Sequence, residues 1–249
     1  ENYLRRSVKI SMTLAPPVNY TEIADFINQL GIDPITNICD QFHFPMRDRI
    51  RWEAANEEEL FQRFLKVLDA IFDNMNDPKI NEDIIKDKCL ELIKNFESAV
   101  FLPSFQIIFN RRIGDPIKGD VLLGFCLPGM LRPVVTPDGS IYVCEKLDGI
   151  PKCKIGKINS GIDKEKILLL YNNINERLDW EPCRNCWMVG MCLLCWLHLF
   201  DVEGLSSEKH KYYCASFRAN MMTSLVYYAR AMEYNMEAFK SILKWASEQ

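Results

Sequence analysis

Closely spaced cysteines are the feature that most constrains how this chain can fold. The segment EPCRNCWMVGMCLLCW, residues 181–196, holds four of the ten cysteines of the chain. They are spaced C-x2-C-x5-C-x2-C, at Cys183, Cys186, Cys192 and Cys195. Proteins use thiols this close together for structural zinc, for disulfides or for iron–sulfur clusters. Each of these uses leaves a different pattern in the remainder of a chain.

Length and composition argue against disulfides and against several classes of partner. The chain has 249 residues, 48% of them hydrophobic, so it can bury a core without the disulfides that small secreted domains need. Its net charge of −4 argues against nucleic-acid partners, because neutralising phosphates requires a basic surface. It lacks an apolar run of about 18 residues, so we expect no membrane partner. We therefore expect a cytoplasmic protein whose clustered cysteines serve metal or redox chemistry.

The beginning of the chain predicts a strand, a helix and a second strand. Residues 7–16 alternate apolar and small polar side chains, which is typical of a strand. Residues 19–32 predict a helix with Thr21 as its N-cap and Gly31 as its C-terminal stop. A second short strand is predicted at residues 33–44. Short loops between such elements are typical of parallel βα architecture.

The next elements are mostly helical until the composition changes. Amphipathic helices are predicted at residues 56–75 and 81–100, and a short strand at residues 104–109. Cysteine, glycine and proline then become frequent, with one clear helix at residues 163–178 before a helical C-terminus at residues 209–249. We therefore predict two domains, an α/β domain at residues 1–115 and a cysteine-bearing α+β domain closed by helices at residues 116–249.

Other cysteines lie around a predicted β-hairpin. The segment RPVVTPDGSIYVC has strand-forming residues on both sides of a PDG turn, with Gly139 at the position that needs a positive φ. The second strand of this hairpin ends close to Cys144. Cys126 precedes the hairpin, and Cys214 in KYYCASF follows the last cysteine cluster.

This order of cysteines resembles the SPASM domain of radical S-adenosylmethionine (SAM) peptide maturases. The family pattern is C-x(9–15)-G-x4-C, a gap, C-x2-C-x5-C-x3-C, a gap and a final cysteine. The chain has C-x12-G-x4-C, then a second element one residue short in its last spacing, and the lone final cysteine.

The resemblance implies two auxiliary [4Fe–4S] clusters. The first would be held by Cys126, Cys144 and Cys195, with either Cys153 as the fourth ligand or one open iron. The second would be held by Cys183, Cys186, Cys192 and Cys214. Thiolates are the ligands that iron–sulfur iron prefers, which agrees with this assignment.

The resemblance extends towards the N-terminus and implies a missing part. Residues 8–44 are similar to the last two βα units of the radical SAM partial (β/α) barrel. The C-x3-C-x2-C motif that ligates the SAM-cleaving cluster is absent from the sequence. The chain is therefore expected to be the C-terminal part of such an enzyme, with SAM and a third [4Fe–4S] cluster in an N-terminal part. The sequence identifies neither catalytic residues nor SAM-binding residues.

The expected function is the modification of a ribosomally made precursor peptide. The auxiliary clusters would serve substrate binding or electron transfer, and the partners would be that peptide and an electron-donor protein. Two alternatives stay open. One is a non-catalytic scaffold that binds a precursor peptide or a partner protein, and the other is a structural zinc module. The C-x5-C spacing and the G-x4-C hairpin are not typical of zinc sites.

A few further side chains have expected structural roles. Cys89 falls in a predicted helix and is expected to be a small buried hydrophobe. His198 and His210 flank the last cysteine cluster, and surface or helix-capping roles are expected for them ahead of ligation. Trp187 and Trp196 are expected to shield the clusters from water.

Overall fold

The contacts of the chain divide it into two compact units. The computed structural model describes residues 9–14, 19–31, 33–38, 57–72, 82–92, 95–111, 129–130, 132–177, 181–192 and 194–247. The helical unit comprises Glu1–Asn110 and Met222–Gln249, and the cysteine-rich unit comprises Arg111–Met221. The sequence prediction placed residues 222–249 in the second domain, whereas their contacts lie within the helical unit.

The predicted strand–helix–strand segment is present in the helical unit. Strand β1 (Lys9–Leu14), helix α1 (Tyr20–Leu30) and strand β2 (Asp33–Ile38) follow one another. The two strands pair in parallel, with Lys9 opposite Asp33 and full register to their other ends. Among the residues that the structure describes, these two strands form a sheet of their own and close no barrel. The partial (β/α) barrel therefore stays a prediction.

The N-cap of helix α1 differs from the prediction. Asn19, not Thr21, is the N-cap, and its side-chain oxygen accepts hydrogen bonds from the Glu22 backbone amide at 3.4 Å and from the Thr21 hydroxyl at 2.8 Å. Asparagine is at least as good an N-cap as threonine, so the cap lies two residues earlier. The predicted stop is confirmed, because Gly31 has a left-handed φ of 61°.

Helices α2 (Glu57–Phe72), α3 (Glu82–Leu92) and α4 (Phe96–Phe109) follow. The strand predicted at residues 104–109 is wrong, because these residues continue helix α4. Phe101, Phe105 and Ile108 recur at helical spacing and are all buried, so packing of this face overrides the strand preference of the local sequence.

An aromatic core fills the helical unit. It is completed by helix α8 (Met236–Ser247) and by the part of helix α7 (Ser207–Tyr234) that belongs to this unit. Phe105 makes edge contacts with Phe64 and Phe239 at ring-centroid distances of 5.8 and 5.2 Å. The predicted burial of Cys89 in this core is confirmed, and burial raises the pKa of its thiol to about 11.

The cysteine-rich unit is built from short strands and irregular segments. A four-stranded antiparallel sheet has the order β3-β4-β5-β6. The predicted hairpin is confirmed in β3 and β4, with Gly139 at a φ of +76°. The elements are β3 (Val134–Val135), β4 (Ser140–Tyr142), β5 (Lys154–Lys157), β6 (Gly161–Ile162), α5 (Lys164–Arg177), α6 (Glu181–Arg184), β7 (Phe200–Asp201) and β8 (Gly204–Leu205).

Length and apolar character decide whether a helix can cross a membrane. Helix α7 is the long one, with 28 residues, but charged side chains recur along it. None of the helices in the described parts of the chain combines the length and the apolar character needed to cross a bilayer.

Candidate metal centre

A first group of cysteines gathers residues from three separate segments. Cys144 follows strand β4, Cys153 ends the 3₁₀ helix Pro151–Cys153, and Cys195 immediately precedes the 3₁₀ helix Trp196–His198. Burial raises the pKa of Cys144, and the negative charges of Glu145 and Cys195 raise it further. Cys144 is therefore close enough to Cys195 for the two thiolate charges to interact.

Cys153 belongs to the same group. Its side chain is fully buried, and burial raises the pKa of its thiol to about 12, with a further contribution from the charge of Cys144. The register of the sheet explains the proximity. Tyr142 on β4 pairs with Lys154 on β5, so Cys144 and Cys153 lie just beyond this pair. The Val143 amide donates to the Cys153 carbonyl at 3.1 Å and holds the two segments together.

Cys195 is held by a reciprocal pair of contacts with His198. The Cys195 backbone amide donates to Nδ1 of His198 at 2.9 Å, and the His198 amide donates to the Cys195 carbonyl at 2.9 Å. The His198 amide also donates to the Cys195 side chain, which together with the bond from the Cys195 amide to Nδ1 forms a capping box, so the expected capping role of His198 is confirmed. The capping residue is buried, because only 5% of His198 is exposed and its ring packs on Tyr213 and Phe217. Burial, with the charge of Lys209 next, lowers the pKa of His198 to about 4, so the imidazole is neutral at neutral pH.

A second group forms around Cys186. Burial raises the pKa values of Cys192 and Cys214, and the Cys186 thiolate contributes to both shifts. Cys214 also raises the pKa of Cys192, so each of these three thiols lies within range of the charge of the other two. Cys183 is joined to the group through a turn in which its carbonyl accepts a hydrogen bond from the Cys186 amide at 3.1 Å.

Helix α7 supplies a second connection between Cys183 and the rest of the group. His210 and Cys214 are four residues apart on this helix and therefore share a face. The Cys183 sulfur lies 4.0 Å from Nε2 of His210. The expected surface position of His210 is wrong, because only 8% of it is exposed.

Two cations beside these groups were missed by the sequence analysis. Lys209 lies near Cys153 and donates from Nζ to the Phe200 carbonyl at 2.5 Å. Arg218 lies near Cys214, and its charge opposes the rise in the pKa of that thiol. Arg218 could have been found, because it is four residues beyond Cys214 on a predicted helix. The sequence holds no local signal for Lys209, since it is far from Cys153 along the chain.

The two tryptophans have different surroundings. Trp196 is 2% exposed and packs against Tyr171 and Phe200 at ring-centroid distances of 5.3 and 6.1 Å. Trp196 is therefore buried next to Cys195 in the chain, and its shielding of a cluster stays a prediction. Trp187 is 46% exposed, so the shielding role expected for it is wrong.

The described cysteines are free thiols rather than disulfides. Those in the cysteine-rich unit are Cys144, Cys153, Cys183, Cys186, Cys192, Cys195 and Cys214. Cys126, which was predicted to belong to the first set, lies outside the described residues. Within the parts of the chain that the structure describes, no three His, Cys, Asp or Glu side chains are arranged to hold a metal ion.

Comparison with known proteins does not identify a family for this chain. No protein-family model, no curated protein and no solved structure matches the chain. The SPASM resemblance therefore stays a prediction from the order of the cysteines, beside a structure that sorts the described ones into two groups.

Proposed function

We propose that the cysteine-rich unit binds two [4Fe–4S] clusters and is the C-terminal part of a radical SAM enzyme that modifies a peptide. The observation that carries this proposal is the sorting of free cysteines into two groups, each drawn from separate segments of the chain. The SPASM resemblance implies the same grouping. Thiolates are the ligands of such clusters, so the chemistry of the donor set fits.

The ligands of the first cluster are proposed to be Cys126, Cys144, Cys153 and Cys195. Cys153 is preferred over an open iron, because its sulfur is fully buried beside Cys144 and takes part in no disulfide. The ligands of the second cluster are proposed to be Cys183, Cys186, Cys192 and Cys214.

Two cations offset part of the rise in thiol pKa that burial causes. Lys209 and Arg218 each place a positive charge near one group, which favours the thiolate over the thiol. His198 orients the backbone at Cys195, while Trp196 excludes water nearby. When bound, iron–sulfur clusters supply one-electron transfer and an iron that can bind a substrate group.

The experiment is anaerobic reconstitution with iron and sulfide, followed by metal and sulfide analysis and visible absorption. Two [4Fe–4S] clusters correspond to about eight irons per chain. Two zinc ions and no sulfide would reject the proposal and favour the structural zinc module.

A matched pair of variants tests the assignment of Cys153. Cys153→Ser is expected to lower the iron content to about four per chain, because one cluster loses a ligand. Cys89→Ser removes an equally buried thiol from the helical unit and is expected to retain about eight. Equal iron contents in the two variants would contradict the role of Cys153.

The enzymatic part of the proposal depends on a SAM-cleaving partner segment. The measurement is to sequence the encoding frame upstream of Glu1 and the neighbouring frames for a C-x3-C-x2-C motif. We expect to find it in the same chain or in a separate subunit that co-purifies with this one. If neither exists, the non-catalytic scaffold becomes the better assignment.

A further inference from the structure

The cysteine-rich unit contains a cavity that the cluster sites do not use. Its volume is about 390 Å³, and residues of the 3₁₀ helix, of β5, of α5 and of the β7–β8 hairpin line it. Small-ligand sites in proteins have cavities of about 300–1,000 Å³, so this one can accept one or two side chains. The lining residues Lys152 and Lys154 directly flank Cys153 in the chain, which places the cavity beside the first cysteine group.

The lining of this cavity combines cations with an apolar wall. Leu169, Leu170 and Phe200 contribute apolar surface, while Lys152, Lys154 and Lys166 contribute ammonium groups. Among the residues described, the lining includes no acidic side chain. A basic cavity is unexpected from a chain of net charge −4, so the concentration of lysines here is local.

The positive charge of the cavity is only partly compensated by the protein. Lys154 donates from Nζ to the Ser140 hydroxyl at 2.5 Å. The same hydroxyl donates to Asp138, and this hydrogen bond, helped by the positive charge of Lys154, lowers the pKa of Asp138. The Lys166 ammonium lies 3.8 Å from Asp163 in an exposed pair, which is worth little. The Lys152 side chain makes no hydrogen bond or ion pair within the described parts of the chain. An anionic group of a ligand would therefore meet positive charge that the protein compensates only in part.

We infer that this cavity binds an acidic side chain of a peptide together with an adjacent apolar side chain. The inference deepens the proposed function and rests on it, because it names the chemistry of the peptide that the domain recognises. The cations select a carboxylate, and the leucine and phenylalanine wall selects an apolar neighbour. Because the cavity flanks Cys153, a peptide held here lies next to the first cysteine group.

The test uses the reconstituted full chain and fluorescence anisotropy of a labelled, C-terminally amidated peptide, Gly-Ser-Glu-Leu-Glu-Leu-Gly-Ser. We expect saturable binding that weakens as salt is raised. A peptide with Gln in place of Glu, and one with Ser in place of Leu, are expected to bind more weakly. Equal affinity of the Gln peptide would overturn the inference, as would the absence of saturable binding of the Glu-Leu peptide.

Two pairs of variants on helix α5, each with a matched control, test the location of the binding site. Lys166→Glu and Leu169→Asp change lining residues, whereas Lys164→Glu and Leu168→Asp make the same changes at exposed positions outside the lining. Leu168 and Leu169 are 61% and 58% exposed, so the two Asp variants disturb folding equally little. We expect the lining variants to weaken peptide binding by about tenfold or more and the controls to have little effect. Equal losses within a pair would contradict this site.

Iron content measured on the same samples separates the two proposals. Normal iron content without peptide binding would overturn the peptide site and leave the clusters standing. Peptide binding without iron would overturn the proposed cluster function and retain the site.

Discussion

In the helical unit, Phe61, Phe64, Phe105 and Phe239 are completely buried between helices, and ring contacts link them. In the cysteine-rich unit, β5 is the longest strand described, with four residues, and much of the chain between Arg132 and Ser206 consists of turns and 3₁₀ segments. The helical unit is built around aromatic rings, whereas the cysteine-rich unit holds seven described thiols, most of them half-buried, beside buried apolar side chains such as Trp196 and Phe200.

The two units therefore differ in the interactions that can stabilise them. Burial of large aromatic side chains stabilises the helical unit without help from a ligand. Short strands and turns bury less apolar surface, and burial of thiols without a partner favours their neutral form. Metal or cluster ligation couples binding to folding, so ligation of the proposed clusters would add to the stability of the cysteine-rich unit.

Removal of iron gives the largest expected effect and tests this comparison directly. Chelation of the reconstituted protein under reducing conditions is expected to unfold the cysteine-rich unit and to leave the helical unit folded. The reason is that only the cysteine-rich unit would hold the proposed clusters. Hydrogen exchange resolved by peptide is the measurement. Protection is expected to fall to the level of an unfolded chain in residues 132–221 and to persist in residues 57–72 and 96–109. Loss of protection in both units together would break the comparison.

A core substitution in the helical unit gives the next largest effect. Phe105→Ala is expected to lower the free energy of unfolding of this unit by about 3–5 kcal/mol, because it leaves a cavity among aromatic rings. Phe26→Ala is the control, since Phe26 is 61% exposed and its truncation is expected to cost little. Denaturation followed by circular dichroism measures both. Iron content should stay unchanged, and its loss in Phe105→Ala would show that the units are not independent.

A glycine in the cysteine-rich unit gives an intermediate effect. A Cβ atom on Gly156 would lie 2.2 Å from the Gly161 carbonyl oxygen, which is backbone and cannot move aside as a side chain can. Gly156→Ala is therefore expected to lower the free energy of unfolding by about 1–3 kcal/mol. Lys157→Ala, on the exposed face of the same strand, is expected to change it by about 0.5 kcal/mol or less. An unaffected Gly156→Ala variant would show that the β5–β6 pairing contributes little.

Alkaline pH gives the smallest effect and acts on the helical unit. Burial, with the Glu57 charge next, raises the pKa of Tyr20 to about 12 from an ordinary value near 10. Below pH 10 both the folded and unfolded states keep the phenol proton. Between pH 10 and 12 only the unfolded state loses it, so the free energy of unfolding falls as the pH rises.

Tyr20→Phe removes this ionisation and supplies the control. Urea denaturation at pH 9 and pH 11 is expected to show a smaller loss of stability in the variant than in the parent chain. An identical loss in the two proteins would mean that Tyr20 does not ionise differently on unfolding.

The local elements that could be predicted are those with a short-range cause. The strand–helix–strand start, the amphipathic helix at Glu57–Phe72 and the hairpin at Gly139 follow from periodicity and turn chemistry. The strand predicted at residues 104–109 failed because its apolar run is ambiguous between strand and helix, and packing with other helices decided it.

Features of the candidate site also differ in whether nearby or distant residues in the chain cause them. The order of the cysteines in the sequence already suggested two sets of ligands. The place of Cys153 stayed open, because its proximity to Cys144 depends on the pairing of Tyr142 with Lys154. Burial of His198 and His210, and the approach of Lys209 to Cys153, also depend on residues distant in the chain.

By itself the sequence determined which residues can serve as ligands, where helices α1, α2 and α5 begin and end to within a few residues, and where the hairpin turns. These properties depend on side-chain chemistry and on interactions between residues close together in the chain. Only the tertiary structure decided which thiols share a neighbourhood, which histidines are buried and where lysines surround an apolar cavity. The reason is physical, because these arrangements arise when strands and helices distant in sequence pack together and exclude water.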